Sequence, residues 1–174
     1  MHSEFQQVIE QHRQRVVTFA RYSLGSPADA DDIAQKVFVK LWKHWPSVDP
    51  DRRLAWLLRV THNAVIDFVR RRQTKLAVID ESADAEASPG STTTDAGAER
   101  DAATLNRDLM TAIQQLDDPF RSILVLRDIQ GVSYSDIEAS LEMSASQVKV
   151  YLHRARRKLR ANKQLRRRFD ELGA

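Results

Sequence analysis

The stretch MSASQVKVYLHRARRKLRANKQLRRR, Met143 to Arg168, is rich in Lys and Arg and holds no carboxylate; the next acid is Asp170. Cations without interleaved Glu make no i,i+4 pairs, so such a helix repels itself when alone. A polyanion relieves that repulsion, and a nucleic-acid backbone is the commonest one. The plainer reading is a solvated basic face, or cations placed late in a helix to suit its dipole. Ser144 with Gln147 three residues on has the form of a capping box. Val148, Leu152, Ala155 and Leu159 then form one apolar stripe. With no Pro or Gly before Gly173, an unbroken helix is expected. Ser146, Gln147, Lys149, Val150, His153 and Arg154 fall in its first turns, within reach of a groove, with Arg157 further along.

Such a helix needs a partner to position it. Ser133 caps a short helix reaching Leu141, and a turn at Glu142-Met143 leads to the Ser144 cap. Short helix, tight turn and longer basic helix make a helix-turn-helix, with Ile137, Leu141, Val148 and Leu152 packing the two helices together. Glu138 and Glu142 stand where that motif favours a small residue and a turn Gly; a plain helical hairpin is the alternative. Upstream, Leu105, Leu109, Ile113 and Leu116 form a stripe that Asp117-Asp118-Pro119 ends. Phe120 to Ile129 follows as another helix, closed by Gln130-Gly131.

The N-terminal part has its own signals. Ser26-Pro27-Ala28-Asp29 starts a helix, with Asp29, Asp31 and Asp32 in its first turn. Ile33, Val37 and Leu41 make its buried stripe, beside Phe38 and Trp42. A break at HWPSVDPDRR precedes Leu54 to Arg72, whose apolar side is Leu57, Leu58, Val60, Ala64, Val65 and Phe68. Trp56, Arg59, Asn63, Arg70, Arg71 and Arg72 add aromatic and basic groups that suit single-stranded DNA. A buried Trp and a solvated Arg run explain them equally well.

Between these parts, IDESADAEASPGSTTTDAGAER holds too few large apolar residues to offset its ordering entropy. The expected organisation is all-α: a small helical domain at 1–75, a flexible acidic linker at 76–101, and a helix-turn-helix domain at 102–174. The chain has 174 residues, net charge +3 and no Cys, which excludes disulfides and thiolate metal sites. No apolar run is long enough to cross a bilayer. MHSEFQQVIEQH lacks the basic start and apolar run of a signal peptide, so a cytoplasmic protein is expected. The five His residues are scattered, and neither a Gly-rich phosphate loop nor a nucleophile motif occurs. No catalysis, cofactor, metal or small-molecule substrate is expected.

The order of the pieces carries a resemblance. DADDIAQKVFVKLWKHW, then RRLAWLLRVTHNAVIDFVRRR, an acidic linker, and LDDPFRSILVLRDIQGVSYSDIEASLEMSASQVKVYLHRARRKLR resemble the extracytoplasmic-function (ECF) sigma factors of bacterial RNA polymerase, with regions 2 and 4 only. The resemblance implies that the first segment, through Asp32, Gln35, Lys36, Phe38, Leu41 and Trp42, binds the beta-prime clamp helices of core polymerase. It implies that Arg52, Arg53, Trp56, Arg59, Asn63, Asp67, Arg70 and Arg71 recognise and open the minus-ten promoter element. It further implies that Ser146, Gln147, Lys149, Val150, His153, Arg154 and Arg157 read the minus-thirty-five element. The other implied partners are the polymerase beta flap and an anti-sigma factor. Val150-Tyr151 follow Lys149 where the family often has Ser-Arg, which bears on promoter sequence. The alternative is a helix-turn-helix regulator that is not a polymerase subunit; it leaves the N-terminal half unexplained.

Overall fold

Ser26 begins the second helix as its spacing predicts: its Oγ accepts from the Asp29 N–H at 3.2 Å, with Pro27 at the first helical position. In the computed structural model this helix, α2, spans Pro27–His44, after α1 at His2–Leu24. The structure describes residues 2–79 and 97–172. Further α-helices are α3 (Arg53–Ile79), α4 (Gly97–Gln114), α5 (Phe120–Leu124), α6 (Tyr134–Leu141), α7 (Ala145–Arg160) and α8 (Lys163–Leu172). The α1–α2 turn needs Gly25, which sits at φ +74°, where a Cβ would come within 2.7 Å of the Gln114 side chain.

Ile33, Val37 and Leu41 line the buried face of α2, against Val16, Phe19 and Ala20 of α1 and Leu57, Leu58 and Val65 of α3. HWPSVDPDRR folds as two short 3-10 turns, Trp45–Ser47 and Pro50–Arg52. The α3 helix runs past Arg72 to Ile79, and α4 starts at Gly97, so helices enter the expected linker from both ends. The rest of that linker lies outside the described residues.

In the C-terminal half α5 continues into a π-helical turn, Val125–Ile129, in which Val125 and Leu126 are buried. Gly131, at φ +64°, ends it. The helix-turn-helix forms from its predicted caps. Ser133 Oγ accepts from the Asp136 N–H at 3.1 Å. Ser144 and Gln147 make the reciprocal capping box, with the Ser144 N–H donating to Gln147 Oε1 at 2.8 Å. The turn residue Glu142 adopts the left-handed conformation, φ 55° and ψ 45°, at a cost of roughly 1 kcal/mol for a non-Gly residue. Val148, Leu152 and Ala155 are buried.

One expectation is corrected: the basic helix is not continuous. It ends at Arg160, and Asn162 Oδ1 accepts from the Leu165 N–H at 3.0 Å to start α8. The break lets Leu165 become buried and Arg168 reach Asp108 of α4 at 2.9 Å. Asn162, a residue type that commonly caps helices, lies within the basic stretch and is its one local sign of the bend; the Asp108 partner lies far outside it.

The two halves pack against each other through α1, α3, α4, α5 and α6. Arg15 Nη1 donates to the Gln130 carbonyl and Gln130 Nε2 to the Arg15 carbonyl, both at 3.2 Å. Tyr22 Oη donates to Asn106 Oδ1 at 3.3 Å.

Candidate nucleic-acid interface

Opposite the Val148–Leu152–Ala155 stripe, α7 turns Ser146, Lys149, Val150, His153, Arg154 and Arg157 outward together, all exposed. The i, i+3, i+4 recurrence of α7 forces this: residues off the stripe share the other side. Val150 is an exposed large apolar residue, whereas Tyr151 turns inward and meets the Phe120 ring edge-on at 5.6 Å. Gln147 lies on the exposed side, but its Oε1 is engaged in the cap.

The basic stretch does find carboxylates, all from elsewhere in the chain. Asp128 accepts two hydrogen bonds from Arg156, at 2.7 and 2.9 Å, and this raises the Arg156 pKa above its ordinary value. Lys158 lies 3.9 Å from Asp117 and 4.7 Å from the centre of the Phe120 ring. Among the described residues, Lys149, Arg154 and Arg157 have no such partner. The plain solvated or paired reading therefore holds for Arg156 and Lys158, while the outward face keeps its cations available to a polyanion.

The first domain supplies a second surface. On α2, Asp32, Gln35, Lys36 and Trp42 are exposed and Phe38 is half-buried. Leu41 requires a correction: it is entirely buried, because it completes the Ile33–Val37–Leu41 stripe, and offers no contact surface. A groove of about 460 Å³ between α2 and α3 is lined by Gln35, Lys36, Ala64, Asp67, Phe68 and Arg71 among others. It therefore joins residues assigned from the sequence to two different partners. On α3, Asn63, Arg70 and Arg71 are exposed, and Arg70 donates to Asp67 at 3.0 Å. Trp56 is half-buried, 6.0 Å from the His44 ring. Arg52 is exposed at the loop. Arg53, grouped with it for DNA contact, is turned inward instead. Its guanidinium stacks 4.1 Å from the centre of the Trp45 ring and donates to Glu4 at 2.9 Å, leaving the side chain 12% exposed.

Where the halves meet, α3 is engaged from the other domain. Arg59 Nη1 donates to Glu142 Oε1 at 2.9 Å, and His62 Nε2–H donates to Asp118 Oδ2 at 2.8 Å. Ser122 Oγ donates to Asp118 Oδ1 at 2.6 Å. Burial alone would raise the Asp118 pKa; the hydrogen bonds from His62 and Ser122, with the His62 and Arg121 charges, outweigh it and hold the carboxyl below its usual range. The sequence reading passed over this seam. Its one visible trace is Glu142 standing where a turn Gly is usual.

Fold and surfaces together define an all-helical DNA-binding protein, with a helix-turn-helix in one half and a basic, aromatic-edged helix in the other. The sigma-70 region 2 family model matches residues 8–75, and the sigma-70 region 4 model matches 106–159. The chain is 33% identical over 164 residues to RNA polymerase sigma factor CnrH of Cupriavidus metallidurans, covering 90% of this chain and 85% of that one. It is 32% identical over 155 residues to ECF RNA polymerase sigma factor SigE of Mycolicibacterium smegmatis; the match covers 88% of this chain but only 59% of that relative. A solved structure of CnrH in complex with the cytosolic domain of CnrY aligns with TM-score 0.68 at 27% identity, over 92% of this chain and 88% of that one. Sigma factor RpoE in complex with the anti-sigma factor NepR from Bartonella quintana shares the fold, with TM-score 0.73 at 21% identity, over 94% and 97%. The chain belongs to the ECF sigma factors of the sigma-70 family.

Proposed function

We propose that this chain binds core RNA polymerase, directs it to particular promoters and helps to open the minus-ten element. The observation that carries the proposal is the match of both family regions, in order, to two surfaces that remain exposed on α2–α3 and α7. Its role is binding and positioning rather than turnover. The setting is the cytoplasm, where polymerase and promoter meet; no described helix is long and apolar enough to cross a membrane. An anti-sigma protein is the proposed regulator, since the solved relatives are bound to CnrY and NepR. The direct test adds the chain to core polymerase and maps transcript starts. A defined start dependent on this chain supports the reading; DNA binding without any polymerase-dependent start favours a separate regulator.

The proposed polymerase surface is Asp32, Gln35, Lys36, Phe38 and Trp42. Asp32 and Gln35 lie within one turn of Lys36 and are exposed, so Asp32→Ala and Gln35→Ala should weaken core affinity with helicity unchanged. Pull-down with core polymerase and circular dichroism read the two quantities. Undiminished capture by both variants removes this surface from the proposal.

On α7, base contacts are proposed for the first turns and phosphate contacts further along. Lys149→Ala or Arg154→Ala should cost about 1–3 kcal/mol and relax preference at one or two base pairs. Arg157→Ala should weaken all sequences alike and lower the salt slope by about one unit. The measurement is holoenzyme binding to a panel of minus-thirty-five duplexes at several salt concentrations. Identical behaviour of all three variants would make α7 a nonspecific clamp.

For the minus-ten element, Arg52, Trp56, Asn63, Asp67, Arg70 and Arg71 are the proposed contacts, with Arg59 joining them once it is released from Glu142, and the 46–53 loop offering a place for an unstacked base. The two promoter elements are named for positions about 25 base pairs apart, roughly 85 Å along a straight duplex. Side chains of α3 touch the helix-turn-helix here, so reading both elements requires the halves to separate. The chain between Ile79 and Gly97 can reach at most roughly 60 Å when fully extended, so the linker lets the halves separate but the bodies of the two domains must cover the rest of that span.

A further inference from the structure

Glu142 is a poor local choice for its position. Its backbone is left-handed, the conformation that glycine adopts without steric cost. The fold therefore tolerates strain at the turn of the helix-turn-helix while placing a carboxylate there. That carboxylate projects across the seam to Arg59 of α3. Arg59 is 42% and Glu142 72% exposed, so the pair sits at the open edge of the seam, where solvent and ions reach it. Deeper in, His62 and Asp118 are each 20% exposed. Arg15 and Gln130 each donate a side-chain hydrogen bond to the other's backbone carbonyl, also part-buried. These inner contacts hold the halves together; the outer one joins the turn before α7 to a guanidinium on the other DNA-facing helix.

We propose that Glu142 is an intramolecular latch, an anion that occupies Arg59 in the closed chain as a DNA phosphate would and that must let go when the halves separate. The inference rests on the functional reading above, because it treats the α3 face as a DNA-binding surface. Three consequences follow from its chemistry. In the closed chain Arg59 is neutralised, so α3 attracts stray polyanions less. Opening removes one internal ion pair and exposes a cation to the promoter backbone. As an exposed pair, the latch weakens with salt.

The test uses the full chain, which has no native Cys. Fluorophores attached at Gln7→Cys and Ala161→Cys, both exposed sites in opposite halves and outside the proposed contact surfaces, report closure by energy transfer. Free chain should show high transfer that falls on adding core polymerase without DNA. Glu142→Gln keeps the backbone strain and side-chain length but removes the charge. It should lower the closed-to-open ratio about two- to fivefold, the range of an exposed ion pair. Apparent affinity for core polymerase should tighten by the same factor when the closed form predominates, because less binding energy is spent on opening. Arg59→Gln should match it, and the charge swap Arg59→Glu with Glu142→Arg should restore wild-type transfer and affinity. Low transfer in the free wild-type chain, unchanged values for both single variants, or a swap no better than either of them overturns the latch. Failure to initiate transcription would instead overturn the functional reading, and the energy-transfer result on the free chain would stand apart from it.

Discussion

Leu152→Ala is expected to destabilise the C-terminal half by about 2–5 kcal/mol, the usual cost of truncating a buried Leu when the cavity collapses only in part. Leu152 is 2% exposed and belongs to the same buried cluster as Ile137, Val148 and Ala155. This contact sets the angle of α7 against α6, so the variant should also lose minus-thirty-five binding even though every outward residue of α7 is intact. Guanidinium denaturation followed by circular dichroism gives the stability change, and duplex titration of the holoenzyme gives the binding loss. Leu152→Met, which conserves volume, should cost less than about 1.5 kcal/mol and retain binding. A loss below about 1 kcal/mol for the alanine variant would mean that the α7 stripe contributes little to the core.

The second large effect is expected at Asp118. Its carboxylate accepts from His62 and Ser122, and Arg121 lies 4.0 Å away. Asp118→Ala leaves these donors facing a partly buried gap, at an expected cost of about 2–4 kcal/mol. The exposed Arg70–Asp67 pair is the control, worth about 0–1 kcal/mol. The pH dependence has a definite sign. A carboxyl whose folded pKa is depressed contributes stability that is complete above its unfolded value, about 3.9, and is lost as pH falls through the lower folded value. The advantage of the wild type over Asp118→Asn should therefore hold at neutral pH and shrink below about pH 4. Chemical denaturation of both proteins between pH 3 and 7 measures it. An unchanged gap across that range would show that the ionised Asp118 carboxylate contributes nothing to folding.

The local architecture was legible because its causes are local. Ser26, Ser133 and Ser144 each cap a helix through a backbone N–H three residues on, and the stripes of α2, α3 and α7 follow from residues three and four apart. Leu41 shows the limit. The same spacing that made it part of a stripe also put it inside, so its place in the polymerase motif could not mark it as a contact. Arg53 shows another: in the sequence it is one of two loop arginines, and only the approach of Trp45 and Glu4 turns it inward. The first helix carries no motif, yet Val16, Phe19 and Ala20 are wholly buried.

The sequence by itself determined the helical class, the helix-turn-helix, the outward face of α7 and the order of regions that marks the family. Each rests on a cap, a stripe or a motif read within a few turns of chain. Tertiary structure alone decided which charges are spent and where the halves meet. Arg156 is neutralised by Asp128, 28 residues before it, and Arg15 meets Gln130 across 115 residues. Arg59 is held by Glu142 across 83 residues. No periodicity encodes such pairs, because they depend on how folded helix faces dock. A cation on an amphipathic helix looks the same in sequence whether it waits for DNA or is already bound to a carboxylate of its own chain.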